Sequence, residues 1–214
     1  MKSILLIGLG RFGRYMAMKF HELNHEVLAI DKNEDRVNAV LDYVTNAQIG
    51  DSTNERFIQS LGVRNFDLCV VAIADDFQSS LETTALLKDN GARFVLSRAT
   101  QDSHAKFLLR NGADEVVYLE KQMATWAAVT YSDDSIFDYM PLANNYAIYE
   151  ISVPANWVGK TAVELEVRKK HNINILATKK NGVVAPLSGN DHVFVRDERV
   201  LVMASDRDIH RFLH

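Results

Sequence analysis

The sequence of 214 residues is poor in features that define several large classes of protein. It has one cysteine, Cys69, which predicts neither a disulfide framework nor a zinc site and favours a reducing, intracellular compartment. Its net charge of −4 gives no electrostatic footprint for nucleic acid or anionic membranes, whose recognition normally uses clustered lysine and arginine. We therefore expect no nucleic-acid partner.

Long apolar runs are also missing. No run approaches the roughly 20 residues that span a bilayer, and residues 1–3 lead into the first strand without a signal-peptide pattern. We expect no direct membrane insertion, so any membrane role would act through a partner.

Catalytic motifs are missing as well. The sequence has no Ser-His-Asp arrangement, no G-x-x-x-x-G-K-[ST] loop and no H-E-x-x-H, and its seven histidines are scattered. Most of them, including His104 at the start of a predicted surface helix, are expected to be solvated. We find no proton donor to face a nicotinamide, so we do not expect an enzyme.

What the sequence does contain is a nucleotide motif. Residues 4–13 read I-L-L-I-G-L-G-R-F-G, an apolar strand that runs into G-x-G-x-x-G at the start of a helix. Gly8 permits the tight turn, Gly10 lets the backbone approach a pyrophosphate, and Gly13 allows close helix packing. The helix N-terminus supplies N–H donors and a positive dipole end. Asp31, which ends the next strand, is placed to accept hydrogen bonds from ribose hydroxyls.

Two cations lie close to this motif in the sequence. Arg11 can reach a terminal phosphate as a charge-assisted donor, with a solvated arginine at a helix start as the alternative. Lys32 could recruit a ribose 2′-phosphate, but the Asp31 carboxylate repels that group, so an unphosphorylated ribose is preferred. The motif predicts ATP, ADP or NAD(H) without choosing among them.

Further candidates follow the later strands at the same edge of the sheet. Asp51 and Ser52 could hydrogen-bond the adenine side, or they could cap a helix. Ala72 and Ile73 are small or apolar residues that can flank adenine or ribose. The next two strands end on this edge in Arg98 and Glu120. Glu120 is either a plain helix-start carboxylate or a ligand that holds Mg²⁺ or another cation against the phosphates.

The order of elements predicts an α/β fold with a doubly wound, Rossmann-type parallel sheet and a small C-terminal α+β domain. The apolar runs do not alternate with polar residues, as expected for strands covered on both faces. We predict a nucleotide-binding domain over residues 1–134, a short helix or linker over 135–145 and an α+β domain over 146–214. The predicted strands of the first domain are residues 4–7, 27–30, 44–49, 68–73, 94–96 and 116–118.

Helix patterns and turns complete this prediction. Phe12, Met16, Ala17, Phe20 and Leu23 form a core stripe on the first helix. A capping box is predicted from Ser52 to Glu55, and left-handed glycines are predicted to end helices at residues 62, 91 and 112. The second domain is predicted to contain a helix over 161–170, an Asn-Gly hairpin at 181–182 and a last helix from residue 206.

Several motifs together carry a resemblance to a known family. I-G-L-G-R-F-G, A-I-D-K (29–32), I-G-D-S-T (49–53), L-G-V-R-N-F-D (61–67), V-V-A-I (70–73), L-E-K-Q-M (119–123) and the segment 164–177 resemble the cytosolic RCK/KTN regulatory subunits of Ktr and Trk potassium-uptake systems. The resemblance covers essentially the whole chain. It implies homodimers that assemble into an octameric ring beneath a membrane-embedded potassium-translocating subunit of the KtrB/TrkH kind, with ATP favouring conduction and ADP the inactive state.

The resemblance also implies residue roles. The glycines of the loop would hold phosphates, Asp31 the ribose and Asp51 the adenine side. Arg11 would approach the γ-phosphate, often that of the neighbouring subunit, and Glu120 would help to coordinate a cation between paired nucleotides. Some relatives have lysine in place of Arg98.

In Gram-positive relatives the C-terminal domain binds cyclic di-AMP at its dimer interface. A largely apolar floor with one guanidinium and one amide suits a purine and its phosphate. The apolar members could equally be ordinary core residues. The matching positions are Leu165, Val167, Arg168, Asn174, Ile175 and Pro186.

Overall fold

The computed structural model describes residues 1–187 and 191–214, and the chain forms two compact units, residues 1–120 and 121–214. We call them the N-terminal and C-terminal units. The division falls earlier than the predicted boundary at residue 134. The helix after Glu120 belongs with the C-terminal unit, because its Val129 packs against that unit's core.

The N-terminal unit contains a six-stranded parallel sheet, which confirms the predicted Rossmann-type fold. Its strand order is β3-β2-β1-β4-β5-β6, so the order reverses direction beside β1. A ligand crevice is expected at the carboxyl ends of the strands where such a reversal occurs. The strands are β1 (Ser3–Ile7), β2 (Glu26–Asp31), β3 (Asn46–Ile49), β4 (Leu68–Val71), β5 (Val95–Arg98) and β6 (Glu115–Val117).

Helices cover both faces of this sheet. Ile4 and Leu6 of β1 belong to one core cluster, and Leu5 and Ile7 belong to another, so successive side chains are buried on opposite faces. This explains the uninterrupted apolar runs. The helices are α1 (Arg11–Glu22), α2 (Glu34–Asn38), α3 (Glu55–Ser60), α4 (Phe77–Asp89) and α5 (Asp102–Arg110), and α6 (Leu119–Thr130) begins in this unit.

Two details of the predicted helices are wrong. Leu23 is 53% exposed at the C-terminus of α1, while Ala17 is fully buried and anchors the stripe. The capping box is not formed, since Asn54 caps α3 by accepting a hydrogen bond from the Phe57 N–H at 3.2 Å. The left-handed glycines are confirmed, with φ of 64°, 84° and 105° at residues 62, 91 and 112.

The sequence predicted that His104 lies on the surface. This prediction is wrong, because His104 is completely buried in α5. Its ring centroid is 4.7 Å from that of Phe77, and its Nδ1 is 3.4 Å from Thr100 Oγ1. Its Nε2 has no hydrogen-bond partner among the described residues. Burial lowers the pKa of His104, since a charged imidazole is poorly solvated there.

The C-terminal unit is built on a five-stranded antiparallel sheet of order β10-β9-β11-β8-β7. Trp157 and Phe194 are the largest fully buried side chains of its core. The elements are β7 (Ile136–Pro141), β8 (Tyr146–Ser152), α7 (Ala162–Leu165), α8 (Val167–His171), β9 (Asn174–Lys180), β10 (Val183–Pro186), β11 (Arg199–Ser205) and α9 (Asp206–Leu213).

The predicted helix or linker over 135–145 is wrong, because this segment contains β7, paired antiparallel with β8. Two consecutive left-handed residues, Asn144 and Asn145, turn the chain between them. Within the strand, Ile136 is buried and the Tyr139 ring packs at a tilt against that of Tyr149, with 5.4 Å between the ring centroids. Pairing with β8 therefore decides that this segment is a strand, because its sequence pattern alone does not distinguish a strand from a helix.

The remaining predictions for this unit hold with one change. Residues 161–170 form two short helices, because Glu166 is left-handed, with φ of 48°. The hairpin is confirmed, since Asn181 and Gly182 are both left-handed between β9 and β10. The last helix begins at Asp206, as predicted. No helix in the described parts of the chain has the length and hydropathy to cross a membrane.

Candidate functional site

A cavity of about 630 Å³ lies in the N-terminal unit, where the strands of the parallel sheet end. All but one of the residues predicted to bind a nucleotide line it, and the exception is Gly13, which is buried beneath the loop. The predicted residues that line the cavity are Gly8, Gly10, Arg11, Phe12, Asp31, Lys32, Asp51, Ser52, Ala72, Ile73, Arg98 and Glu120.

The sequence analysis missed several residues of the cavity wall. Gly50, Ala74 and Leu119 immediately follow predicted strands, so their position at the carboxyl edge of the sheet was the available signal for these three. The missed residues are Ile7, Tyr15, Arg36, Gly50, Ala74, Asp75, Asp76, Ser79 and Leu119.

The three glycines of the loop differ in what the fold requires. Gly8 has a left-handed φ of 93°, and a Cβ there would lie 3.0 Å from the backbone of Ala72. At Gly13 a Cβ would lie 1.9 Å from the Gly8 carbonyl oxygen. Gly10 has an ordinary φ of −63°, and a Cβ would meet nothing within 4 Å. Nothing inside the chain therefore requires glycine at residue 10, and the space that a side chain would fill is open to a ligand.

The start of α1 supplies hydrogen-bond donors beside this open space. The first N–H groups of a helix have no acceptor within the helix, and Gly10, at the cap position, has no side chain to satisfy them. No acidic residue lies in the first turn of α1. The positive end of the helix is thus left for an anion from outside.

Asp31 connects the glycine loop to the end of β2. Its Oδ2 accepts a hydrogen bond from the Leu9 N–H at 2.7 Å, and its Oδ1 accepts one from the Asn33 N–H at 2.9 Å. A carboxylate can accept about four hydrogen bonds, so it retains capacity for hydroxyl donors in the cavity. Arg36 Nη1 lies 3.7 Å from Oδ2 and adds a cation at this position.

Two further carboxylates that line the cavity are held by hydrogen bonds within the chain. Asp51 accepts hydrogen bonds from the N–H and the hydroxyl of Thr53, which lower its pKa. Asp76 caps α4 and accepts a hydrogen bond from the Ser79 N–H, which lowers its pKa. Asp51 is thus not the cap of α3, and both groups are ionised acceptors at neutral pH. Ser52 is buried, with its hydroxyl 2.8 Å from that of Thr83.

Cationic side chains complete the cavity. Arg11 is exposed in the first turn of α1. Arg98 Nη2 lies 3.0 Å from Glu120 Oε1, and the Arg98 guanidinium lies 5.6 Å from the centroid of the Phe12 ring. Glu120 is therefore already paired with a cation of its own chain.

The cavity offers the predicted cation one carboxylate ligand from Glu120. Among the described residues, no group of three or more histidine, cysteine, aspartate or glutamate side chains could hold a metal ion. Glu120, with a side chain 57% exposed at the cavity, can supply one carboxylate ligand. The remaining ligands of a cation there would have to be water, nucleotide phosphates or another chain.

The residues predicted to bind cyclic di-AMP differ in their burial. Leu165, Val167 and Ile175 pack into the core of the C-terminal unit, as the alternative interpretation anticipated. Asn174 is half-buried, and Arg168 and Pro186 are exposed. A smaller cavity of about 380 Å³ is lined by Leu165 together with Trp157, Lys160 and His171.

Comparison with known proteins agrees with this architecture. The TrkA-N domain family matches residues 4–119, and the TrkA-C domain family matches residues 147–214. Ktr system potassium uptake protein A of Bacillus subtilis (strain 168) is 36% identical over 211 residues, which cover 99% of this chain and 95% of that protein. Ktr system potassium uptake protein C of the same organism is 37% identical over 213 residues, with 99% and 96% covered.

Solved structures show the same fold. The GsuK channel superposes on 99% of this chain with a TM-score of 0.72 and 15% identity, and 38% of that channel's chain is covered. The GsuK channel bound to NAD gives a TM-score of 0.69 over 97% of this chain and 38% of the other, also at 15% identity. With both domain families matched in order and the Ktr proteins aligned over nearly their full length, the chain belongs to the TrkA-N/TrkA-C (RCK/KTN) family of Ktr and Trk potassium-uptake proteins.

Proposed function

We propose that this chain is the nucleotide-binding regulatory subunit of a potassium transporter and that exchange of ADP for ATP controls its conformation. The observation that carries the proposal is the cavity at the strand ends, where the predicted phosphate, ribose and adenine residues converge. No bond needs to be broken in this function. The absence of a catalytic motif in the sequence is consistent with it.

The chemistry of the wall fits an adenine nucleotide. The open space at Gly10 and the unpaired N–H groups of α1 suit a pyrophosphate. Asp31 retains acceptor capacity for ribose hydroxyls, and the ionised Asp51 can accept from the adenine amino group. ATP differs from ADP by one phosphoryl group with added negative charge, and we propose that Arg11 responds to it, in the same subunit or a neighbouring one.

We further propose the assembly that the family resemblance implies. Homodimers would form an octameric ring at the inner face of the membrane, bound to a membrane-embedded subunit of the KtrB/TrkH kind. A coupling free energy of about 1–3 kcal/mol per site is typical of allostery. In a ring with several nucleotide sites, the coupling free energies of the individual sites can add up. Light scattering of the isolated protein, with and without the co-expressed membrane subunit, tests the subunit count and the partnership.

The identity of the ligand can be measured directly. Mass spectrometry of material released on denaturation should find ATP or ADP. If NAD(H) is released instead, the nucleotide assignment is wrong and an NAD(H) sensor is favoured. Turnover of NADH by the purified chain would support the alternative of a small oxidoreductase, since a regulatory subunit consumes no cofactor.

Replacing Arg11 with alanine should weaken ATP binding by at least tenfold and leave ADP binding within about twofold. The reason is that a charge-assisted contact to the terminal phosphate contributes about 1.5–3 kcal/mol, and ADP lacks that phosphate. Isothermal titration calorimetry of the full chain with each nucleotide measures both affinities.

Arg14→Ala is the matched control for this experiment. Arg14 is also exposed on α1 but does not line the cavity, so both affinities should be unchanged. Equal losses of ATP and ADP affinity in Arg11→Ala would contradict discrimination by Arg11, and the proposed response to the γ-phosphate would have to be abandoned.

We also propose that the C-terminal unit binds cyclic di-AMP between two copies of the chain. Because Arg168 is exposed on α8 and follows the buried Val167, its guanidinium is free to reach a phosphate outside its own unit. Arg168→Ala should weaken binding of cyclic di-AMP at least tenfold by calorimetry, whereas Lys169→Ala, an exposed neighbour paired with Glu166, should not. No heat with the wild type would exclude this ligand.

A further inference from the structure

The ion pair between Arg98 and Glu120 occupies the part of the cavity in which a cation was expected. Arg98 is the last residue of β5, and Glu120 lies in the first turn of α6. Their Nη2 and Oε1 atoms are 3.0 Å apart. The carboxylate that would bind a metal ion is therefore neutralised by a guanidinium from its own chain.

The geometry of the Arg98–Glu120 ion pair allows each side chain to exchange its partner. The two side chains are joined by a single contact, whereas a strong Arg–carboxylate pair is bidentate. The Nε of Arg98 is buried and has no acceptor among the described residues. Glu120 is 57% exposed, so water competes for it, while Arg98 is only 18% exposed and is held over the Phe12 ring.

We propose that Arg98 competes with a divalent cation for Glu120, so that breaking this ion pair sets the affinity of the nucleotide-loaded site for the cation. The inference rests on the proposed function, since the nucleotide supplies the other ligands. A guanidinium and a divalent cation repel each other when they approach the same carboxylate oxygen. The displaced guanidinium, including its unsatisfied Nε–H, finds anionic acceptors in the phosphates that share the cavity.

The test uses the full chain loaded with ATP, freed of unbound nucleotide by gel filtration and titrated with Mn²⁺ while free Mn²⁺ is measured by EPR. Arg98→Gln should bind Mn²⁺ about tenfold more tightly than the wild type, because the competitor is removed. Glu120→Gln should bind at least tenfold more weakly. In the Arg98→Gln/Glu120→Gln double variant, the increase in Mn²⁺ affinity caused by Arg98→Gln should vanish, because both residues act on one contact.

Two variants separate competition from a structural effect. Arg93→Gln breaks another arginine–carboxylate pair, 3.1 Å from Asp67 and outside the cavity, and should leave Mn²⁺ affinity unchanged. Arg98→Lys keeps the charge without the planar guanidinium and should give an intermediate affinity with an unchanged melting temperature.

The outcomes distinguish the inference from the function on which it rests. Unchanged or weaker Mn²⁺ binding by Arg98→Gln, in protein that retains ATP, overturns the competition and leaves the nucleotide proposal standing. Failure of the wild type to retain any adenine nucleotide overturns both.

Discussion

Gly10→Ala is expected to leave the fold intact and to reduce ATP and ADP affinity at least tenfold, whereas Gly13→Ala is expected to destabilise the N-terminal unit by about 3 kcal/mol. The difference follows from what an added methyl group meets. At residue 10 it meets no atom of the chain within 4 Å, and at residue 13 it lies 1.9 Å from the Gly8 carbonyl oxygen. Thermal unfolding followed by circular dichroism, together with calorimetry of nucleotide binding, measures the two effects.

Each glycine variant is the control for the other. Alanine is a poorer N-cap than glycine, so Gly10→Ala should lower stability by no more than about 1 kcal/mol. Its methyl group projects into the space where a pyrophosphate would approach the backbone, so the loss should appear in binding. Normal nucleotide affinity in Gly10→Ala would show that the ligand does not approach this loop, and the proposed function would lose its main support.

Trp157→Ala should destabilise the C-terminal unit by about 3–5 kcal/mol, the range measured for removal of a large aromatic side chain from a core. Trp157 is 2% exposed, and its ring lies 5.4 Å from those of Phe194 and Phe212. Phe212 belongs to α9, so the three rings pack this helix against the core of the unit. Differential scanning calorimetry should show a transition shifted to lower temperature.

The N-terminal unit provides an internal reference for this variant. Its nucleotide cavity is lined only by residues up to Glu120, so ATP binding should survive in Trp157→Ala. Val158→Ala is the neighbouring control, because Val158 is 39% exposed and its truncation should cost less than about 1 kcal/mol. If Trp157→Ala loses ATP binding while Val158→Ala retains it, the two units do not unfold independently.

Prediction from the sequence succeeded where local pattern and fold agree. The glycine loop, the buried strands and Asp31 all follow from rules that act within a few residues or along one strand. Since parallel strands place their carboxyl ends on one edge, the sequence alone assigns residues as distant as Gly8 and Glu120 to one cavity.

The failures have a common physical cause. The helix predicted around residue 138 is the strand β7, and His104 is buried where a surface position was expected. In both cases the outcome depends on a distant partner, β8 for the strand and Phe77 for the histidine. The pairing of Arg98 with Glu120 is of the same kind, because the end of β5 and the start of α6 must come together before the contact exists.

The sequence by itself determined that the chain has a Rossmann-type unit with a nucleotide loop, since glycine spacing and apolar periodicity act locally. Only the tertiary structure decided that nothing in the fold restricts Gly10, that Asp31 is bound to the loop through Leu9, and that Glu120 is already neutralised by Arg98. Such facts depend on distances between atoms far apart in the chain, and these distances are fixed only when the sheet and its helices pack.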